Sequence, residues 1–248
     1  MSLPRWLDLD GVVNMRDVGG VPTVDGGEVA TGRLLRSDNL QDLSDGDIRR
    51  LVEDVGVTDV VDLRSEVEVH LEGPGPLQAT RHALVHHHHS LLASEYDPQE
   101  QRDPRDDDYW ASHYLGYLAD RPDSVSAALG VIAHSTGATI VHCAAGKDRT
   151  GTVVGMALSV AGVSDEDVVA DYVATGERLD AIVGRLRSRP AYAEVLRDEQ
   201  RSHELPRPET MQRILTVLAE QHGGAAGWLL EQGWSAAEVD QLRHKLLA

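Results

Sequence analysis

Apolar positions along the chain follow two rhythms. Short β-branched runs bounded by turn residues predict strands at 12–14 (VVN), 33–37 (RLLRS), 59–64 (DVVDLR), 81–85 (RHALV) and 139–143 (TIVHC). These runs are almost continuously apolar, as expected of strands covered on both faces. Between them the spacing turns helical. SDGDIRRLVEDVG has a serine cap at Ser44, apolar positions at Ile48, Leu51, Val52 and Val55, and a glycine stop at Gly56. DDDYWASHYLGYLAD places Trp110, Tyr114, Tyr117 and Leu118 on one helical face. DSVSAALGVIAH leads into the strand at 139–143. Helical patterns then run through RTGTVVGMALSVAG to about 187, and again over about 208–248. No repeat or long linker interrupts the pattern. The expectation is one α/β domain over 1–248, with a central, mostly parallel sheet flanked by helices and a helical C-terminal half.

Composition narrows the class. The chain has 248 residues, 41% of them hydrophobic and 26% charged, as in a globular protein. Phenylalanine is absent, so Leu, Val, Ile and Ala must fill the interior. The longest uncharged apolar stretch, 151–163, is too short to span a bilayer and reads as a buried helix. No stable membrane insertion is expected. No basic segment followed by an apolar stretch opens the chain, and there is one cysteine. Both point to a cytoplasmic location, with non-classical export left open. The formal net charge of −18 argues against nucleic-acid binding and requires any anionic substrate to find a local positive pocket.

That pocket has a candidate. The single cysteine, Cys143, closes a predicted strand, and a helix is predicted from Arg149 onward. The intervening AAGKD then forms a tight loop aimed at a helix N-terminus. Backbone N–H groups of Ala144, Ala145, Gly146 and Lys147 can converge there on an anion, aided by the helix dipole. The same field favours a thiolate, the reactive form of cysteine. Arg149 can fold back over the loop and grip two oxyanion oxygens with its planar fork. A sulfur nucleophile facing an anion so held describes phosphate-ester hydrolysis through a phosphocysteine. Thr150 is placed to hydrogen-bond the thiolate, and His142 to fix the loop through a backbone carbonyl. A Walker nucleotide loop would need glycine at 141 and Ser or Thr after Lys147. Val141 and Asp148 stand there instead.

HCAAGKDRTG (142–151) resembles the signature loop of the cysteine-dependent protein tyrosine phosphatase superfamily. NMRDVGG (14–20), LLRSDNL (34–40) and DLRSEVE (62–68) narrow the resemblance to its bacterial tyrosine/lipid phosphatases, over nearly the whole chain. Met15 stands where that subfamily usually has Phe, a packing change. The resemblance implies a metal-independent, cofactor-free hydrolase acting on phosphotyrosine, with phosphoserine, phosphothreonine and phosphoinositides as further substrate classes. Its oligomeric state is left open. A phosphate-binding pseudoenzyme of the same fold is the alternative, and a rhodanese-like protein fits less well.

The Trp-Pro-Asp acid of better-known relatives is missing. Asp148 is the candidate general acid, since a phosphate dianion beside it favours its protonated form. Its position also resembles the loop aspartate of the myotubularin lipid phosphatases. Asp62, at a strand end facing the same pocket, is the runner-up. Arg36 and Arg64 are candidate substrate-binding residues because ligands of open α/β sheets sit beyond the carboxyl ends of the strands. Asp38 and Asp17 are supporting residues, Asp17 mainly as scaffold of the Gly-Gly turn after Arg16. Lys147 is expected to meet a second anionic group. The tetrad His86 to His89 reads as a polar strand end or loop and not as a metal site, because neighbours in a strand face opposite ways. The region about 90–122 is a candidate lid, and Asp107 or Asp108 is expected to cap its helix. Tyr114 and Tyr117 could touch a substrate ring, but a core-facing stripe is the favoured reading.

Overall fold

The computed structural model describes residues 5–79, 84–92, 107–193, 196 and 205–247, with 107–110 described by backbone only. Among them, strands β1 (Arg5–Trp6), β2 (Arg16–Asp17), β3 (Leu34–Ser37), β4 (Val57–Asp62), β5 (Val85–His88) and β6 (Ala138–His142) form one sheet. Its order is β1-β2-β3-β6-β4-β5. β3, β6, β4 and β5 run parallel, while β1 and β2 are added antiparallel at one edge.

Alternation along the strands divides the interior in two. Leu34, Val61 and Val141 enter the larger core. Their neighbours Leu35, Val60 and Ile140 enter a smaller core on the other face. The larger core is closed by α3 (Asp107–Asp120), α4 (Pro122–His134), α5 (Asp148–Ala161), α6 (Asp165–Ala174), α8 (Pro208–His222), α9 (Ala225–Glu231) and α10 (Ala236–Leu247). The smaller one is closed by α1 (Asp45–Arg49) and the π-helical turn Arg50–Asp54 that continues it. Two further helices, α2 (Glu66–Glu72) and α7 (Leu179–Arg187), flank the β6–α5 junction. The expected α/β class, with its mostly parallel sheet and helical C-terminal half, is what the chain adopts.

Element boundaries follow local chemistry. Ser44 caps α1 through a capping box with Asp47, and Gly56 ends the segment at φ +78°. The apolar 151–163 stretch lies largely within α5, which is buried along nearly its whole length. Gly151 lets α5 and α6 approach closely, since a Cβ there would lie 2.9 Å from the Tyr172 ring. Met15 is buried in the smaller core, in keeping with a packing role.

Two strand expectations shift. No strand forms at 12–14, because the backbone N–H groups of Val13 and Asn14 donate to the Asp38 carboxylate at 3.2 and 3.0 Å. The strand expected at 81–85 begins at Val85 and takes in His86, His87 and His88, in register with Asp59–Asp62 of β4. Residues 81–83 lie outside the described residues.

Candidate active site

β6 ends at His142 and α5 begins at Asp148, so Cys143 to Lys147 form the crossing between a central strand and a helix N-terminus. Cys143 is 2% exposed. Gly146 sits at φ +67°, and a Cβ on it would lie 2.4 Å from the Ser37 carbonyl oxygen. Only glycine fits a turn pressed this closely on neighbouring backbone.

The loop's carbonyls are anchored one after another. The Ala144 oxygen accepts from Asn39 N at 3.0 Å, and the Ala145 oxygen from Asn14 Nδ2 at 2.9 Å. The Gly146 oxygen accepts from Arg36 Nη2 at 2.8 Å, and the Lys147 oxygen from Gly151 N at 2.8 Å. With the loop's peptides trans, as among all the described residues, the N–H that follows each carbonyl points the opposite way. The N–H groups of Ala145, Gly146, Lys147 and Asp148 are thereby turned away from these partners.

Arg149 is fixed by Glu68, whose Oε1 accepts from Nη2 at 2.9 Å and whose Oε2 accepts from Nη1 at 2.5 Å. Nη1 also reaches the Leu63 carbonyl at 3.4 Å. Burial disfavours the Arg149 charge, yet Glu68 and Cys143 hold its pKa well above the ordinary arginine value. Burial would raise Glu68, but Arg149 holds its carboxyl below the usual range. Glu68 also accepts from Ser65 N at 2.7 Å in the capping box of α2, so one side chain starts the helix and aims the arginine.

Asp62 does not stand alone at its strand end. Both its oxygens accept from the Arg64 guanidinium, at 2.5 to 3.1 Å. His142 Nε2 lies 3.8 Å away. Burial would raise its pKa, but His142 and Arg64 hold it far below the ordinary carboxylate range. His142 Nδ1 faces the Cys143 carbonyl at 3.4 Å, the contact expected of a loop-fixing residue. Burial lowers the His142 pKa from 6.5 to about 4, against the opposing pull of Asp62. Its folded value thus lies below its unfolded one. The unfolded chain binds more protons between those values, so stability is lost as pH falls from about 6.5 toward 4. We expect a loss on the order of 2 kcal/mol between pH 7 and pH 5 in urea unfolding, flattened in His142→Gln. Equal slopes in the two proteins would show that His142 is not the titrating group.

Asp148, the first residue of α5, has Oδ1 3.5 Å from Lys147 Nζ, and the same oxygen accepts from the Tyr114 hydroxyl. Tyr114 Oη is in turn 2.9 Å from Tyr172 Oη. Burial and the nearby Asp148 charge raise the Tyr114 pKa well above 10, which keeps the phenol a donor. Thr150 is fully buried, and its Oγ1 has no hydrogen-bond partner among the described residues.

The other expected residues are spread more widely. Arg36 is fully buried behind the loop, bonded to the Gly146 carbonyl and paired with Asp171, which also accepts from Arg16 Nε at 2.9 Å. It braces the loop's outer side. Arg64 is fully buried against Asp62 and the Gly73 carbonyl. Asp38 orders the 13–14 backbone and pairs with Arg185. Asp17 accepts from Gly19 N and Gly32 N, both at 2.8 Å, a turn scaffold. The histidines of β5 are individually engaged, His87 with Asp59 at 2.9 Å and His88 with the Arg64 carbonyl at 2.8 Å. Among the described residues no group of three or more His, Cys, Asp or Glu side chains is arranged to hold a metal ion. Residues 93–106 of the candidate lid, and the side chains of Asp107, Asp108 and Trp110, lie outside the described residues. Tyr114 and Tyr117 are core-facing, at 1% and 4% exposure.

Sequence reasoning missed Glu68, Asn14, Asn39 and Asp171 as parts of this site. Glu68 had a signal, because Ser65-x-x-Glu68 is a capping box directly after the Asp62 strand. Asp171 had none, since it arrives from a helix far along the chain.

A strand-to-helix loop of anchored carbonyls thus runs from a buried cysteine to a carboxylate-held arginine. The chain belongs to the tyrosine phosphatase family, whose model matches residues 7–248. It is an enzyme with protein phosphatase activity, and its substrates are phosphorylated. A tyrosine-protein phosphatase of Nostoc commune is 28% identical over 86% of this chain and 74% of its own length. The triple specificity protein phosphatase PtpB of Mycobacterium tuberculosis is 26% identical over 97% of this chain and 98% of its own. A putative tyrosine-protein phosphatase of Cupriavidus necator is 29% identical over 69% and 63%. Among the described residues no helix is long and apolar enough to cross a membrane.

Proposed function

We propose that the chain hydrolyses phosphomonoesters, phosphotyrosine first and phosphoserine or phosphothreonine besides, through a phosphocysteine on Cys143. The supporting observation is the loop in which three successive carbonyls are tied to Asn39, Asn14 and Arg36, leaving the following N–H groups for an anion. Those N–H groups and Arg149 hold the three non-bridging oxygens. Glu68 fixes one edge of the guanidinium and leaves the other for the substrate. Cys143 Sγ attacks phosphorus, the P–O bond to the leaving group breaks, and Asp148 passes its proton to that oxygen. Water then attacks phosphorus, its proton returns to Asp148, and the P–S bond breaks to release phosphate. Asp62 is unsuited to the acid's part, because both its oxygens accept from the buried Arg64 guanidinium, a pairing that needs the charged carboxylate. Rapid quench with ³²P-labelled substrate should trap a covalent phosphoenzyme. A burst of alcohol release without trapped phosphorus would overturn this route.

Lys147 supports a second reading, that phosphoinositides are also accepted. It is nearly buried beside Asp148, and a second substrate phosphate would compete for its charge. Lys147→Ala should then lower kcat/KM on polyphosphorylated inositol headgroups about tenfold more than on p-nitrophenyl phosphate. Equal losses on both would limit Lys147 to balancing Asp148.

A further inference from the structure

Among the contacts around the loop, one chain of hydroxyl groups has no part in the mechanism so far. It begins on α6 at Tyr172, continues through Tyr114 on α3, and ends on Asp148 Oδ1. All three groups lie on different helices, and both tyrosines are at most 2% exposed.

The direction of this chain follows from proton counting. A phenol has one proton to give. Tyr114 gives its proton to Asp148 Oδ1, so in the contact between the two phenols Tyr172 is the donor and Tyr114 the acceptor. Aligned donors of this kind strengthen one another in a buried setting. Oδ1 also faces Lys147 Nζ at 3.5 Å. It is therefore the poorer oxygen of the two to carry a proton. A proton on Oδ1 aimed at Tyr114 would reverse their bond and leave the Tyr114 proton without its carboxylate acceptor. Oδ2 carries no such conflict, and the Asp148 side chain remains 25% exposed.

We propose that Tyr114 is a positioning residue for the general acid: with Tyr172 behind it, it pins Asp148 Oδ1 and directs the transferable proton to Oδ2. This rests on the reading of Asp148 as the acid. Without the pin, the carboxyl group at the start of α5 is drawn to the helix N–H groups and to Lys147. The groups facing Asp148 are Lys147 from its own segment, Tyr114 and His113 from α3, and Tyr172 from α6 through Tyr114. His113 also feels the Asp148 charge: burial lowers its pKa, and Asp148 opposes this only in part.

Tyr114→Phe keeps the ring in the core and removes the hydroxyl. On a phosphate ester with an alkyl leaving group, kcat should fall about 10-fold to 30-fold, while KM changes little. On a substrate whose leaving group departs as a stable anion, kcat should stay within about threefold. In the Asp148→Asn background, Tyr114→Phe should add nothing further on either substrate. An equal loss on both substrates, or a full additional loss in the Asp148→Asn background, would reduce Tyr114 to a packing residue and overturn the proposal. If Asp148→Asn itself shows no dependence on the leaving group, the acid assignment has failed, independently of Tyr114. Should Tyr114→Phe not fold, Tyr172→Phe tests the same chain one step back. It should give a selective loss of about twofold to fivefold on the alkyl substrate. No selective loss there would likewise overturn the proposal.

Discussion

Cys143→Ser reduces hydrolysis of p-nitrophenyl phosphate to background while the protein still binds vanadate. The two outcomes separate because they depend on different atoms. Turnover needs a sulfur able to attack as a thiolate, and a serine hydroxyl stays protonated near neutral pH and is a far weaker nucleophile. Binding needs the N–H groups following Ala144, Ala145 and Gly146, whose carbonyls stay tied to Asn39, Asn14 and Arg36. It also needs Arg149, which stays tied to Glu68. Exchanging sulfur for oxygen at a position 2% exposed removes little volume, so the fold should persist. Activity within about tenfold of wild type would rule out covalent catalysis through Cys143.

Asp148→Asn lowers kcat by about 10²-fold to 10³-fold for alkyl and poor aryl leaving groups, and far less where the leaving group needs no proton. Asparagine still accepts the Tyr114 hydrogen bond but has no proton to pass on. The matching change at the runner-up position gives a different signature. Asp62→Asn leaves the fully buried Arg64 without its ion-pair partner, so its main cost should fall on stability and on every substrate alike. A uniform loss in Asp148→Asn, joined to a loss selective for poor leaving groups in Asp62→Asn, would exchange the two assignments.

Local patterns carried the sequence reading far where function depends on neighbours in the chain. The strand before Cys143, the loop and the helix carrying Arg149 are contiguous, so periodicity and turn residues located them. The same pattern placed Arg36 at a strand end beside that loop, and it is there. Its role is a matter of direction, because its guanidinium passes behind the loop to the Gly146 carbonyl and Asp171. Nothing in LLRSDNL encodes that choice, which is fixed by a helix beginning at Asp165. The predicted strand at 12–14 failed for a similar reason. An apolar pair suggested a ladder, but the Asp38 carboxylate takes the N–H groups a ladder would use. Glu68 lay midway: its capping role could be read locally, its grip on Arg149 could not.

The props beneath the loop come from remote parts of the chain. Asn14 lies 131 positions before the carbonyl it holds, and Arg36 lies 110 positions before its own. A folding chain could complete β6 and α5, with cysteine just beyond the strand and arginine in the helix's first turn, and still have loop peptide groups that turn freely. Competence arrives only when the first forty residues dock against the loop. The site is thus a product of the whole fold, and its peptide groups hold their direction only while the N-terminal edge is closed on the loop.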